Sequence, residues 1–172
     1  AKRSKRGVSP GSARQSRTFE RAQGAPAAPC AICNLREPGE RLTGVTRWRV
    51  RPHPEPVPMA GWLIVDLDRH AEGWHAIDSD EASEFGHLMQ RLSSALREAS
   101  GAERIYLLSF TEMVPHLHAH LAPRHGRDPG QRGWGIADRY RAVAEGRAEP
   151  ADAMAHARIC RAAIERVNAT HA

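Results

Sequence analysis

Apolar and polar residues alternate with two different periods along the chain, and each period predicts a different kind of element. Between residues 79 and 99 the apolar residues recur at helical spacing, at Phe85, Leu88, Met89, Leu92 and Leu96. This spacing is typical of an amphipathic helix whose apolar stripe covers one face of a sheet. Asp78 and Ser79 can cap the start of this helix, and Gly101 is expected to end it.

Four stretches are predicted as β-strands from their apolar and β-branched residues. They are residues 45–50, 61–67, 105–110 and 116–122. The last two are joined by a short connection, so they are expected to pair antiparallel. A terminal helix is predicted at 151–167. The order of these elements predicts an α+β fold with a mostly antiparallel sheet and helices on one side.

Residues 116–122 carry the candidate chemistry, because histidine alternates with apolar residues there. In a strand, residues two apart share a face, so His116, His118 and His120 are expected to project to one side. On a helix all three rings could not share a face, because neighbours there recur at i+3 and i+4. Imidazole is largely neutral near pH 7, can attack phosphorus and can leave again, which suits a covalent carrier of a phosphoryl-type group.

Composition predicts one folded domain with tails. The chain has 172 residues, of which 41% are hydrophobic and 26% charged, values typical of globular proteins. Much of the formal charge of +5 lies in residues 1–28, which are rich in Ser, Gly, Ala and Pro. We expect 1–28 to be a disordered basic tail, 29–125 the folded domain, and 126–172 a loop and helix extension. No secretory signal or membrane span is predicted, so the expectation is a cytoplasmic protein without a membrane partner.

Cysteine usage leaves three possibilities open. Cys30 and Cys33 form a C-x-x-C pair, whereas Cys160 is far away in the sequence. Such a pair can be half of a zinc site, a redox couple, or two packed thiols. Partners elsewhere in the chain must decide between them.

The run from His116 to Ala122 fits the pattern His-φ-His-φ-His-φ-φ, in which φ is apolar. On this motif and the elements before it, the chain from about Cys30 to Arg124 resembles the histidine triad (HIT) superfamily of nucleotide hydrolases and transferases. The resemblance implies a homodimer that acts on a nucleotide or nucleotide conjugate. It implies that His118 attacks the α-phosphorus and forms a nucleotidyl–histidine intermediate, while His120 contacts the phosphate or assists the leaving group as an acid.

The resemblance also implies a zinc site. A branch that includes the galactose-1-phosphate uridylyltransferases completes such a site with a histidine after an upstream strand and the first triad histidine. The implied ligands are therefore Cys30, Cys33, His70 and His116. The zinc would be structural, because all four ligand positions are protein. His53 and His75 compete with His70 for its place.

The connection at 109–115 departs from the superfamily pattern, because it lacks the Asn and Gln found in better-known members. Ser109 and Thr111 could donate hydrogen bonds to phosphate, whereas Glu112 would repel phosphate if it pointed inward. The alternative is therefore a zinc-stapled nucleotide-binding module with little or no catalysis. Nucleic-acid end processing, suggested by the basic tail, is not expected, because the positive charges are not interleaved with aromatic residues.

Overall fold

A computed structural model describes residues 30–126 and 128–170. The predicted disordered tail at 1–28 lies outside the described residues. The strands are β1 (Trp48–Pro52), β2 (Leu63–Leu67), β3 (Arg104–Leu108) and β4 (His118–Arg124), and the helices are α1 (Ser79–Ser100), α2 (Gly135–Ala144) and α3 (Ala153–Ala169). Short 3-10 helices cover Trp74–Ala76 and Pro129–Gln131. None of the helices in the described part of the chain has the length and apolar character that a membrane span requires.

The strands form one sheet in the order β1-β2-β4-β3, and every neighbouring pair is antiparallel. The predicted α+β class and the predicted pairing of β3 with β4 are confirmed. In the β2–β4 register, Asp66 lies opposite His118 and Ile64 lies opposite His120. Directly opposed residues share a face of the sheet, so these two histidines project from the same face as Ile64 and Asp66.

The opposite face of the sheet carries the main core. Leu63 and Val65 of β2 and Ala119 and Leu121 of β4 are fully buried, and they pack with the apolar stripe of α1 and with α3. Side chains alternate between faces along a strand. Burial of the apolar residues of β4 therefore directs the intervening histidines to the other face.

Helix α1 begins and ends where the sequence predicts. The Asp78 carboxylate accepts a hydrogen bond from the Glu81 backbone N–H at 2.8 Å, and the Glu81 carboxylate accepts one from the Asp78 backbone N–H at 2.9 Å. This reciprocal pair is a capping box. Gly101 follows the helix with φ of 67°, a left-handed conformation that glycine adopts without steric strain.

The strand that carries the histidines is shorter than predicted. β4 begins at His118, and His116 lies in a bend before it, so the prediction that all three histidines share one strand is wrong for His116. Leu117 donates its N–H to the Ala71 carbonyl and accepts from the Leu67 N–H. Because these partners are not neighbours on a strand, the chain leaves the regular ladder there, and His116 lies outside β4.

Helix α2 is absent from the sequence predictions, whereas α3 confirms the helix predicted at 151–167. Ile136 of α2 packs with Trp62 and Ala122 on the sheet face opposite the main core. The prediction of helices on one side therefore holds for α1 and α3 but not for α2. Only Ile136 and Val143 of α2 are buried, too few apolar positions to mark a helical stripe.

His156 joins α3 to the edge of the sheet. The Gly61 N–H donates to His156 Nδ1 at 3.0 Å, and His156 Nε2–H donates to the His53 carbonyl at 3.0 Å. Gly61 has φ of +91°, and a Cβ added there would lie 2.6 Å from the Ile159 side chain of α3. The absence of a side chain at residue 61 thus permits the close approach of α3. His156 then supplies hydrogen-bond partners for the Gly61 N–H and the His53 carbonyl.

Replacing His156 by leucine is expected to lower the free energy of unfolding by about 2–6 kcal/mol. The change leaves a buried N–H and a buried carbonyl without partners, and each such group costs about 1–3 kcal/mol. Urea unfolding measures the effect, with His87→Leu as the control because His87 is exposed on α1. Equal losses in the two variants would contradict this role of His156.

Candidate active site and metal cluster

A cavity of about 680 Å³ opens on the sheet face that carries His118 and His120. Its walls come from residues 31–35, the end of β1, strands β2 and β4, the connection between β3 and β4, and helix α2. Most of the lining is apolar, and its polar side chains are Arg51, His53, Trp62, Glu112, His118, His120, Tyr140 and Arg141. An apolar cavity of this volume with a few convergent polar groups is typical of a small-molecule site.

His118 has one ring nitrogen committed to the backbone. Its Nδ1 lies 2.7 Å from the His116 carbonyl oxygen, and a carbonyl can only accept, so Nδ1 carries the proton. The neutral ring then has its lone pair on Nε2. The Ser109 hydroxyl donates to the His118 carbonyl at 2.8 Å. The ring is therefore oriented, and Nε2 is free to act as a nucleophile.

His120 is held in the opposite tautomer. Trp62 Nε1–H donates to its Nδ1 at 3.2 Å, so the neutral ring carries its proton on Nε2. The ring centroids of His118 and His120 lie 5.2 Å apart. Burial, followed by the charges of His118, His53 and Arg51, lowers the pKa of His120 to about 3. At neutral pH His120 thus presents an N–H donor and carries no charge.

His53, considered from sequence only as a rival zinc ligand, lies in the cavity instead. Its ring centroid is 5.9 Å from that of His120 and 5.6 Å from those of both Trp62 and Tyr140. Burial lowers the pKa of His53. One feature of the sequence could have pointed to His53 as a site residue. It lies between two prolines directly after a strand, and prolines restrict the backbone around it.

The connection between β3 and β4 does not bring its two hydroxyl side chains, Ser109 and Thr111, to the cavity as possible phosphate donors. Among the described residues that line the cavity, Glu112 is present and neither Ser109 nor Thr111 is. The Ser109 hydroxyl proton is used on the His118 carbonyl. Any phosphate held in the cavity would therefore find its donors elsewhere, on His120, Arg51 and Arg141. Arg51 also pairs with buried Asp66 at 2.6 Å.

A second cluster joins Cys30, Cys33, His70 and His116, whose ligand atoms all lie within 4.8 Å of one another. His116 Nδ1 lies 3.4 Å from each sulfur, and His70 Nδ1 lies 3.5 Å from Cys33 Sγ. Tetrahedral zinc bound by sulfur and nitrogen at its usual bond lengths requires ligand separations of about 3.3–3.8 Å. The cluster is compatible with zinc. His53 and His75 are not part of it.

The surroundings of His116 also suit a metal ligand. His116 Nε2–H donates to the Leu67 carbonyl at 2.7 Å, which leaves Nδ1 unprotonated and directed at the two sulfurs, as in many zinc sites. Burial, followed by the hydrogen bond and charge of Cys30, raises the pKa of the Cys33 thiol. Two adjacent thiolates would therefore need a bound cation to balance their charge.

Solved structures of other proteins share the fold of this chain, although its sequence matches none of the known families. No family model matches the sequence, and no curated protein matches it significantly. A histidine triad protein from Bradyrhizobium japonicum aligns with a TM-score of 0.55 at 19% identity, covering 75% of this chain and 87% of that one. The chain has a histidine triad fold. A histidine triad nucleotide-binding protein from Sulfolobus tokodaii aligns with a TM-score of 0.51 at 15% identity, over 71% of this chain and 78% of that one.

In this HIT-like fold the metal cluster and the cavity share parts of the chain. Ile32 and Leu35, next to the two cysteines, line the cavity. His116 offers Nδ1 to the cluster, while its carbonyl orients the His118 ring. The cluster and the cavity are therefore linked through residues 30–35 and through His116.

The buried histidines of the HIT-like fold predict lower stability in acid. Burial is the largest cause that lowers the pKa of His53, His120 and His156, whereas in an unfolded chain histidine titrates near about 6.5. Below that pH the unfolded chain binds more protons, so the free energy of unfolding falls as the pH drops from about 6.5 towards the folded pKa values. Each group contributes up to about 1.4 kcal/mol per pH unit.

Urea unfolding between pH 7 and pH 5 measures this dependence. The pH slope is expected to become shallower in His120→Phe, which removes the most strongly shifted of these rings, and to stay unchanged in His87→Phe on the exposed face of α1. An identical slope in His120→Phe and the unmodified protein would contradict the prediction.

Proposed function

We propose that this protein is a nucleotide phosphohydrolase or nucleotidyltransferase that acts at the α-phosphate through a nucleotidyl–histidine intermediate on His118. The observation that carries the proposal is the orientation of His118, whose Nδ1–H is bound to the His116 carbonyl at 2.7 Å while the ring lines the cavity. The Sulfolobus tokodaii protein of the same fold is described as nucleotide-binding, which supports a nucleotide as the substrate.

In the first step, His118 Nε2 attacks the α-phosphorus and forms a P–N bond. The bond from phosphorus to the leaving group breaks, and the leaving group keeps the electron pair. His120 Nε2–H donates a hydrogen bond to a non-bridging oxygen on which charge develops. Of the two roles that the resemblance implies for His120, its lowered pKa, which leaves the ring neutral at pH 7, favours phosphate contact over proton donation as an acid.

In the second step, water or another acceptor attacks the intermediate. A new P–O bond forms, the P–N bond breaks, and its electron pair returns to His118 Nε2. Two successive in-line displacements invert the phosphorus twice, so the net result is retention of configuration. Hydrolysis and transfer differ only in the acceptor.

The cavity wall supports binding of a nucleoside. Trp62 and Tyr140 form an aromatic surface with a centroid separation of 5.7 Å, on which a base can stack. Arg51 and Arg141 bring guanidinium groups to the same cavity, where they can attract phosphate.

Cys30, Cys33, His70 and His116 would hold a zinc ion in this proposal. Bound zinc supplies a rigid cross-link with protein atoms at all four positions, so it supports the fold and leaves no position for a water nucleophile. The four side chains then fix residues 30–35 against the start of the triad.

The proposal extends to a cytoplasmic homodimer. β3 is an edge strand of the described sheet, and Leu107, Phe110 and Met113 are 51%, 56% and 95% exposed. An edge strand with apolar residues beside it favours contact with a second copy. Nucleic acid is not among the proposed partners.

The experiment is a turnover screen of nucleotides that carry phosphoanhydride, phosphoramidate or phosphodiester bonds at the α-phosphate, with metal content measured on the same sample. We expect release of a nucleoside monophosphate from at least one class. Saturable binding without turnover across the panel would favour the alternative, a zinc-stapled nucleotide-binding module. The carboxylate of Glu112 at the cavity wall is the observation that favours this alternative.

A further inference from the structure

We infer that His53 is a further catalytic residue, the general base that takes a proton from the water attacking the nucleotidyl–His118 intermediate. The inference rests on the proposed function and deepens its second step. It concerns a residue outside both the triad and the metal cluster.

His53 is held rigidly by its surroundings. Its backbone N–H donates to the Trp62 carbonyl at 2.9 Å, and its carbonyl accepts from His156 Nε2–H at 3.0 Å. Prolines precede and follow it, which restricts its backbone further. Only 8% of His53 is exposed. A side chain with this support keeps its orientation without a bound substrate, as a catalytic base requires.

The tautomer of His53 leaves one ring nitrogen basic. Its Nδ1 lies 2.6 Å from the Pro54 carbonyl oxygen, so Nδ1 carries the proton and Nε2 carries the lone pair. The residue lines the cavity, and its ring centroid lies 5.9 Å from that of His120. A water beside the phosphate contacts of His120 is thus within reach of His53, directly or through one further water.

The other cavity histidines cannot take this role. The lone pair of His120 is on Nδ1 and accepts from Trp62 Nε1–H, while the lone pair of His118 is consumed in the P–N bond of the intermediate. Glu112 is the one carboxylate among the described residues that line the cavity, and it is exposed to solvent. Glu112→Gln distinguishes its contribution from that of His53.

The protons and electrons of the step balance without another reagent. The water oxygen forms a bond to phosphorus, the P–N bond breaks, and its electron pair returns to His118 Nε2. The water proton moves to His53 Nε2 and gives an imidazolium, which then releases the proton to solvent. Burial, followed by the charges of Arg51 and His156, lowers the pKa of His53, so the neutral base is present at pH 7 and release of the proton is favourable.

His53→Gln tests the inference in the full-length protein with the best substrate of the nucleotide screen. Glutamine can still accept a hydrogen bond but cannot take up a proton at this pH. We expect the first-turnover burst and kcat/KM to stay within about threefold of the unmodified protein. We expect kcat to fall by about 10²–10⁴-fold, and the adduct on His118 to accumulate. Azide, a nucleophile that needs no deprotonation, is expected to restore turnover of the adduct.

Controls separate a general base from the other roles. His53→Asn provides a second variant, and His87→Gln, on the exposed face of α1, is expected to behave like the unmodified protein. A fall in kcat/KM without adduct accumulation in His53→Gln would assign His53 to substrate binding and overturn the inference. Adduct accumulation in Glu112→Gln instead of His53→Gln would also overturn it. Normal adduct formation and breakdown in both His53 variants would overturn the inference and leave the proposed function intact, whereas absence of any adduct in the unmodified protein would overturn both.

Discussion

Replacing His118 by asparagine is expected to lower kcat by about 10⁴–10⁶-fold, the loss that follows removal of a nucleophile from a covalent mechanism. Asparagine retains a side-chain N–H that can donate to the His116 carbonyl, which His118 Nδ1–H contacts at 2.7 Å. The substitution therefore preserves the local hydrogen bond and removes only the nucleophilic Nε2. Single-turnover assays with the best substrate measure the effect.

The control for this variant is His87→Asn, which changes an exposed histidine of α1 and is expected to keep full activity. Nucleotide binding to His118→Asn is expected to remain, because the aromatic wall and the arginines of the cavity are unchanged. If His118→Asn turns over within tenfold of the unmodified protein, His118 is not the nucleophile.

Replacing Cys33 by serine is expected to remove the bound metal and to destabilise the fold by several kcal/mol. Structural zinc contributes about 10–16 kcal/mol of apparent binding free energy in small zinc domains, and Cys33 Sγ contacts both His70 and His116 in the cluster. KM for nucleotide is expected to rise as well, because Ile32 and Leu35 of the same segment line the cavity. Elemental analysis, thermal unfolding and steady-state kinetics measure the three effects.

Cys160→Ala is the matched control for the metal. Cys160 is fully buried in the core and lies outside the cluster, so this variant is expected to lose some stability and to keep its full metal content. A Cys33→Ser protein with the metal content and melting temperature of the unmodified chain would rule out a structural zinc site at this cluster.

Local patterns predicted much of the fold. The helical stripe and the Asp78 and Gly101 caps define α1 because capping and amphipathic packing depend on residues close in sequence. The alternation at His118 and His120 predicted that they share a face of the sheet, because alternation along a strand is also a local property. The Cys30 and Cys33 pair marked a possible metal site, although its partners came from a resemblance to known proteins.

The remaining features depend on contacts between distant segments. His53 and Tyr140 meet across the cavity, yet 86 intervening residues separate them in the chain, so no local pattern could pair them. The bend at His116 brings its ring against Cys30 and the Leu67 carbonyl, and both partners are distant in sequence. The tautomer of His120 depends on Trp62, a tryptophan whose side chain could not be placed from sequence.

Trapping the covalent intermediate tests the mechanism most directly. The protein is mixed with its best substrate, quenched in alkali within the first turnover, digested and examined by tandem mass spectrometry. We predict a mass increase equal to one nucleoside monophosphate less one water on the peptide that contains His118, with fragment ions that assign the nucleotidyl group to that ring. Turnover with no modified peptide, or with the nucleotide on a different side chain, would contradict the mechanism.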